Sequence, residues 1–267
     1  MVSDLSIGLW TSWYTEPDPI RRRELRECLS RNLDNDAVDH IHLFCERCDA
    51  PSTHPKLIAT TVTMRPTYGD FLSDIRAWCD SNDGTTFGII ANSDIFFDQT
   101  ILTLADRQTS DQVAALARWD VAHDGTPRLF NRNDSQDVWT FKGRPRDVAA
   151  DFCVGIPRCD NRMLHELRNA GYEVINPAYS IRTYHLHAGQ REEYPAMIDG
   201  PSVDGPYEYL WPHNLCGLLE TCLYRVNNRH APLKWYLDRR LLVNCLPLRL
   251  IRAAFRKGVK LLMGSGA

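Results

Sequence analysis

The sequence predicts an α/β fold with a mainly parallel central sheet covered by helices, and three observations predict it. Short apolar runs alternate with stretches of helical periodicity, in the order strand, helix, strand, strand, helix, strand up to residue 91. The 267 residues, 43% of them hydrophobic and 24% charged, are enough to bury a large core, alone or with an appendage. Polar residues cluster where the apolar runs stop, and that edge of a parallel sheet is where ligands bind.

Each element has its own local signal. Residues 5–10 are a short apolar run, hence a first strand, and Pro17-Asp18-Pro19 opens a charged helix over 20–32. Residues 38–44 alternate polar and apolar as a second strand, and the β-branched run 57–63 gives a third. Residues 68–79 place Phe71, Leu72, Ile75 and Trp78 on one helical face, and the loop 80–85 leads into the strand "FGIIA", which stops at Asn92-Ser93-Asp94. Beyond it the pattern predicts strands over 113–121, 137–141 and 181–187 and a helix over 161–170. Residues 189–209, rich in Gly, Pro and Tyr, are expected to form a loop, so that domain boundaries fall at 1–209 and 210–267. The second part is expected to be helical.

Bulk properties exclude several classes. A net charge of −3 offers no basic field for nucleic acid. The N-terminus has no basic segment followed by an apolar one, and no window is apolar enough to span a membrane, so a cytoplasmic location is expected. Among nine cysteines, Cys45 and Cys48 form one C-x-x-C with no second pair to answer it, and the thiols are read as mostly buried.

Three features carry chemistry. Asp94, just past a buried strand, either closes a turn or holds a divalent cation between two phosphates. His185 and His187 lie two apart on a predicted strand, so both imidazoles share a face; they are surface or core residues, or ligands for a Mn²⁺-like ion. The turn Cys159-Asp160-Asn161 delivers Asp160 to the start of an amphipathic helix. There it caps the helix, or takes a proton from an attacking hydroxyl with a pKa held low by the helix dipole.

The order strand-end Asn92-Ser93-Asp94, then Cys159-Asp160-Asn161, then Gly171-Tyr172-Glu173-Val174, Asn176-Pro177 and His185-x-His187 resembles the GT-A class of nucleotide-sugar glycosyltransferases. With Arg65-Pro66-Thr67-Tyr68, Asp70-Phe71, Ile89-Ile90-Ala91 and Ser135-x-Asp137-x-Trp139-x-Phe141, it resembles more narrowly the small bacterial and viral members that build surface polysaccharides. The resemblance covers residues 5–190. It implies a Rossmann-like GT-A domain with a divalent metal (Mn²⁺ or Mg²⁺) on Asp94 and on His185 and His187, and Asp160 as the base of an inverting transfer. Asp137 and Asp151 are reserve acids. A nucleotide-sugar donor would be held by Thr11, Trp13, Arg65, Thr67, Asp70, Asn92 and Ser93, with Arg191 reaching the diphosphate. The acceptor would be a glycan or a lipid-linked sugar. One departure matters: the family motif offers two acids where Asn92-Ser93-Asp94 offers one, so Asp94 needs a histidine partner.

Residues 246–263 carry Arg249, Arg252, Arg256 and Lys260 at three- and four-residue steps beside Leu248, Ile251 and Phe255. They predict a basic amphipathic helix that packs on the domain or lies on an anionic membrane surface, which would make the enzyme peripheral on the inner face. Three other readings compete with a transferase. A nucleotidyltransferase would show a glycine-rich loop after the first strand, and residues 9–14 contain no glycine. A non-catalytic nucleotide-sugar or carbohydrate binding module is favoured by the single acid. A metallohydrolase is disfavoured because no H-E-x-x-H appears.

Overall fold

The computed structural model describes residues 5–186 and 202–215. Those up to Pro212 belong to one compact unit. His187, Arg191 and the basic segment 246–263 lie outside the described residues.

The expected mainly parallel α/β sheet is present. It has seven strands, β1 (Leu5–Trp13), β2 (His40–Glu46), β3 (Leu57–Val62), β4 (Thr85–Ala91), β6 (Gln112–Leu116), β9 (Val138–Lys142) and β10 (Glu173–Ile175), in the order β10-β6-β9-β4-β1-β2-β3. Only β9 runs antiparallel to its neighbours. The central strands are buried on both faces, which is why β1 and β4 read as continuous apolar runs. β3 ends the sheet and exposes Ile58.

Helix α1 (Pro19–Leu33) joins β1 to β2; Asp18 caps it, accepting from the Ile20 and Arg21 amides at 2.7 and 3.2 Å, with Pro19 in the first turn. Helix α2 (Tyr68–Asp80) joins β3 to β4 and starts in a capping box. It approaches the sheet where β4 has no side chain: a Cβ on Gly88 would stand 3.0 Å from Ile75. Phe71, Leu72 and Ile75 are buried there, and Trp10 donates to Asp74 at 2.6 Å.

The expected single strand over 113–121 is two. After Leu116 the chain leaves the main sheet, and β7 (Trp119–Val121) enters a second sheet with β5 (Ile95–Phe97), β8 (Pro127–Leu129) and β11 (Thr183–Leu186), ordered β5-β11-β7-β8. Helix α3 (Thr100–Arg107) follows β5. Two buried asparagines of the first helical connection stitch that region to the second sheet. Asn32 donates to the Ile95 carbonyl (2.8 Å) and accepts from the Phe97 amide (3.1 Å), and Asn35 donates to the Phe97 carbonyl (3.1 Å).

Helix α4 (Cys159–Asn169) starts two residues before the expected boundary, and Arg158, not Asp160, holds the cap position with φ 71°. The extended segment after residue 201 fastens to this start: the Glu208 amide donates to the Asn161 carbonyl and Asn161 Nδ2 to the Glu208 carbonyl, both at 3.0 Å.

Candidate functional site

Parallel strands bring their carboxyl ends to one edge, and the antiparallel β9 brings its amino end there. Asn92, Ser93 and Asp94 after β4, Arg118 after β6 and Asp137 before β9 therefore share that edge. The Asn92 amide donates to the Asp137 carbonyl (3.1 Å) and the Asp137 amide to the Leu116 carbonyl (3.0 Å), which lock the three strand ends together.

His185 reaches this edge through the register of the second sheet. In β11 it stands opposite Asp120 of β7 and opposite Ile95 of β5, the residue after Asp94. Its Nε2 faces Asp94 Oδ2 at 3.1 Å and its Nδ1 faces Asp120 Oδ1 at 2.8 Å. Burial opposes the imidazolium, but the bonds to Asp120 and Asp94 outweigh it and raise the pKa to about 9. Arg21 of α1 also donates to Asp94 Oδ2, and to the Leu186 carbonyl at 2.9 Å. Burial alone would raise the Asp94 carboxyl, yet His185 and Arg21 hold it well below the usual range. Its other oxygen, Oδ1, is buried with no hydrogen-bond partner among the described residues.

A second acidic centre lies beside the first. Asp160 in the first turn of α4 accepts from Cys159 Sγ (3.0 Å) and from the Gln136 amide (3.4 Å). Tyr68 lies behind Cys159, hydroxyl to sulfur 3.6 Å. The expectation of a dipole-lowered carboxyl is corrected here. Burial, and then the charge of Asp137, push Asp160 up to about 7, because these effects exceed what a helix start contributes.

Arg118 joins the two centres. Its Nη1 donates to both Asp137 oxygens at 3.0 Å and its Nε to Asp120 Oδ1 at 2.9 Å, with the guanidinium 4.2 Å over the Phe130 ring. Asn92 Nδ2 completes a closed circuit by donating to Asp137 Oδ1 at 3.0 Å.

The structure thus brings together Asn92, Asp94, Asp137, Asp160 and His185. Thr11 and Trp13 join Asn92 and Ser93 around a small cavity of about 10 Å³, room for about one water; the Thr11 hydroxyl is buried without a partner among the described residues. Thr67 and Asp70 bond each other in the α2 cap: Thr67 N donates to Asp70 Oδ2 at 2.8 Å and Asp70 N to Thr67 Oγ1 at 3.1 Å. Arg65 and Asp151 are exposed. Cys45 and Cys48 are free thiols, and burial raises Cys45 to about 11.

Sequence reasoning missed Arg21, Arg118 and Asp120. Arg118 and Asp120 are two apart on an extended segment and so share a side, a signal that was available. Arg21 stands in the run Arg21-Arg22-Arg23, where nothing separates it from its neighbours.

Asp94 can offer a divalent cation its buried Oδ1, which lacks a donor among the described residues, whereas His185, bonded to carboxylates through both ring nitrogens, could join it only on giving up the proton that faces Asp94. Among the described residues no group of three or more metal-binding side chains is present.

No family model matches the sequence, and no curated protein matches it. Among solved structures, S. aureus TarS 1-349 in complex with UDP-GlcNAc matches at 10% identity and a TM-score of 0.44, over 72% of this chain and 61% of that one. GalNAc-T7 with UDP, GalNAc and Mn2+ matches at 6% identity and a TM-score of 0.47, over 74% of this chain and 46% of that one. HddC from Yersinia pseudotuberculosis matches at 10% identity and a TM-score of 0.32, over 50% of this chain and 76% of that one. The chain therefore spans less than two thirds of the first two.

Proposed function

We propose that this chain is a GT-A-type glycosyltransferase that moves a sugar from a nucleoside-diphosphate sugar to a hydroxyl of a glycan or lipid-linked acceptor. The observation that carries the reading is the pairing of two acidic centres at the carboxyl edge of a mainly parallel sheet. Asp94 with His185 forms one, and Asp160, poised near neutral pH beside Asp137, forms the other. A half-buried carboxyl with a pKa of about 7 is matched to take a proton from an attacking hydroxyl at physiological pH. One base and direct displacement give inversion.

Asp94 and His185, with His187 as a third ligand, would hold a divalent cation. Bound there, Mn²⁺ or Mg²⁺ would neutralise charge on the leaving diphosphate. The chain's own residues do the rest. Thr11, Trp13, Asn92 and Ser93 line the donor end, Arg65, Thr67, Asp70 and Arg191 extend it, and Arg21 keeps Asp94 ionised. Residues 1–209 form the catalytic domain in this reading. In this reading the basic segment 246–263 of the part 210–267, which lies outside the described residues and whose sequence predicts an amphipathic helix, would rest on an anionic membrane surface from the cytoplasmic side and bring the enzyme to surface-polysaccharide intermediates. Among the described residues no helix is long and apolar enough to cross a membrane.

The test is a thermal-shift screen against UDP-, GDP- and dTDP-sugars with and without Mn²⁺, because a ligand that binds only the folded state raises the melting temperature. Stabilisation by a nucleotide sugar together with slow hydrolysis is expected; no stabilisation by any of them sinks the reading. A non-catalytic binding module is the second reading, favoured by the Arg21 guanidinium that already neutralises Asp94. Binding without any hydrolysis would select it.

A further inference from the structure

We propose that Arg118 is the positioning residue of this site: one buried guanidinium fixes Asp137 beside the base Asp160 and, through Asp120, fixes the ring of His185. The inference rests on the transferase reading for its consequence in catalysis, but its physical content is the geometry of the network.

Arg118 sits where the chain passes from β6 to β7, so its backbone belongs to both sheets' junction. The Phe130 amide donates to the Arg118 carbonyl at 2.9 Å and thereby holds the turn. Its side chain is only 4% exposed, and it is flanked by two acids, one on each side. Nε faces Asp120, whose same oxygen receives His185 Nδ1. Nη1 faces both oxygens of Asp137 and also Ser135 Oγ at 3.3 Å. A lysine could satisfy one of these acids; the planar fork of arginine satisfies both at a fixed angle. The ring orientation of His185 and the position of Asp137 are therefore not independent.

The groups that face Asp160 are few. Cys159 and the Gln136 amide donate to it, the Tyr68 hydroxyl stands behind Cys159, and Asp137 supplies the nearest negative charge. Arg118 is the cation bonded directly to Asp137. Removing it would leave two neighbouring carboxyls without their countercharge, and such a pair keeps a proton to higher pH.

The test follows the carboxyl carbon resonance of Asp160 against pH in the full chain, identified by its loss in Asp160→Asn, together with the acid limb of the transfer rate. Asp137→Asn is expected to move the midpoint down, and Arg118→Gln to move it up, each by about one unit, a tenfold change in the ionised fraction on the acid side. An unmoved midpoint in folded Arg118→Gln overturns the proposal. Where Arg118→Gln does not fold, the double variant Arg118→Gln, Asp137→Asn removes the Arg118–Asp137 pair together and leaves Asp120 bonded to His185, which is less costly than orphaning Asp137 as well. Its midpoint should equal that of Asp137→Asn alone, and a different one overturns the proposal. The resonance needs no substrate. Shifts as expected in a protein that turns over no nucleotide sugar would therefore support the coupling and count against the transferase reading alone.

Discussion

Asp94 and His185, 91 residues apart in sequence, meet with Oδ2 and Nε2 separated by 3.1 Å, and Arg21 closes on the same oxygen. One carboxylate thus bridges two cationic groups in a largely buried place, with Asp120 supplying the second negative charge to His185. Asp94→Ala should destabilise the fold by about 3–5 kcal/mol, the usual cost of breaking a buried pair and stranding its partner. It should also abolish any Mn²⁺-dependent gain in nucleotide affinity. Urea unfolding and calorimetric titration check the two effects separately, and unchanged stability would refute the burial argument.

Asp160→Asn should keep donor binding while lowering the transfer rate by about 10²–10⁴-fold, the range for loss of a positioned base. Single-turnover kinetics at saturating donor would reveal it. Normal turnover would remove Asp160 from the role of base.

The same carboxyl gives the protein a signature in pH. Its pKa lies near 7 in the folded chain against an ordinary 3.8, so the stability it contributes is complete below about pH 4 and is lost as pH rises through about 7. Wild type should weaken relative to Asp160→Asn across that window. Activity should run the other way, falling below about pH 7 as the base becomes protonated. Denaturation midpoints of both proteins at several pH values test the first statement; a constant difference between them would contradict it.

Thr67→Ala should cost about 1 kcal/mol, because it removes the oxygen that accepts from the Asp70 amide at the start of α2. Thr67→Ser should restore most of the loss. If the two variants unfold at the same denaturant concentration, the cap contributes nothing.

Gly88→Val should destabilise by about 1–3 kcal/mol, since its branches would enter the space that Ile75 fills against β4. Partial rescue by Ile75→Val, measured as a double-mutant cycle, is expected; strict additivity would place the strain elsewhere.

Legibility in the sequence followed element length. The run from β1 to β4 could be read because each strand is five or more residues long, buried and apolar in β1, β2 and β4 and β-branched in the exposed edge strand β3, and each helix shows a face. β5, β8 and β10 have three residues each, too few for any period to register. Residues 113–121 read as one strand because the run resumes at Trp119 after Arg118, although the chain changes sheet at Ala117 and Arg118. In the site, Asp94 stood out as an acid at the end of an apolar run and Asp160 as an acid at the start of an amphipathic helix. Arg118 and Asp120 did not, because a buried ion pair inside an apolar stretch looks like an interruption of a strand. The pKa of Asp160 was misjudged for a related reason: the helix start is visible in sequence, while the burial and the neighbouring Asp137 are set by tertiary structure.

The second sheet has a consequence for how the site comes into being. Its strands are drawn from residues 95–97, 119–121, 127–129 and 183–186, so the histidine that completes the Asp94 centre arrives only with the last of them. A chain cut after Ile175 would still contain all seven strands of the main sheet, yet Asp94 would face Arg21 with no imidazole beside it. Assembly of the fold and assembly of the chemistry are thereby separated in synthesis order. Among the described residues the last strand in the sequence, β11, is the one that supplies the histidine.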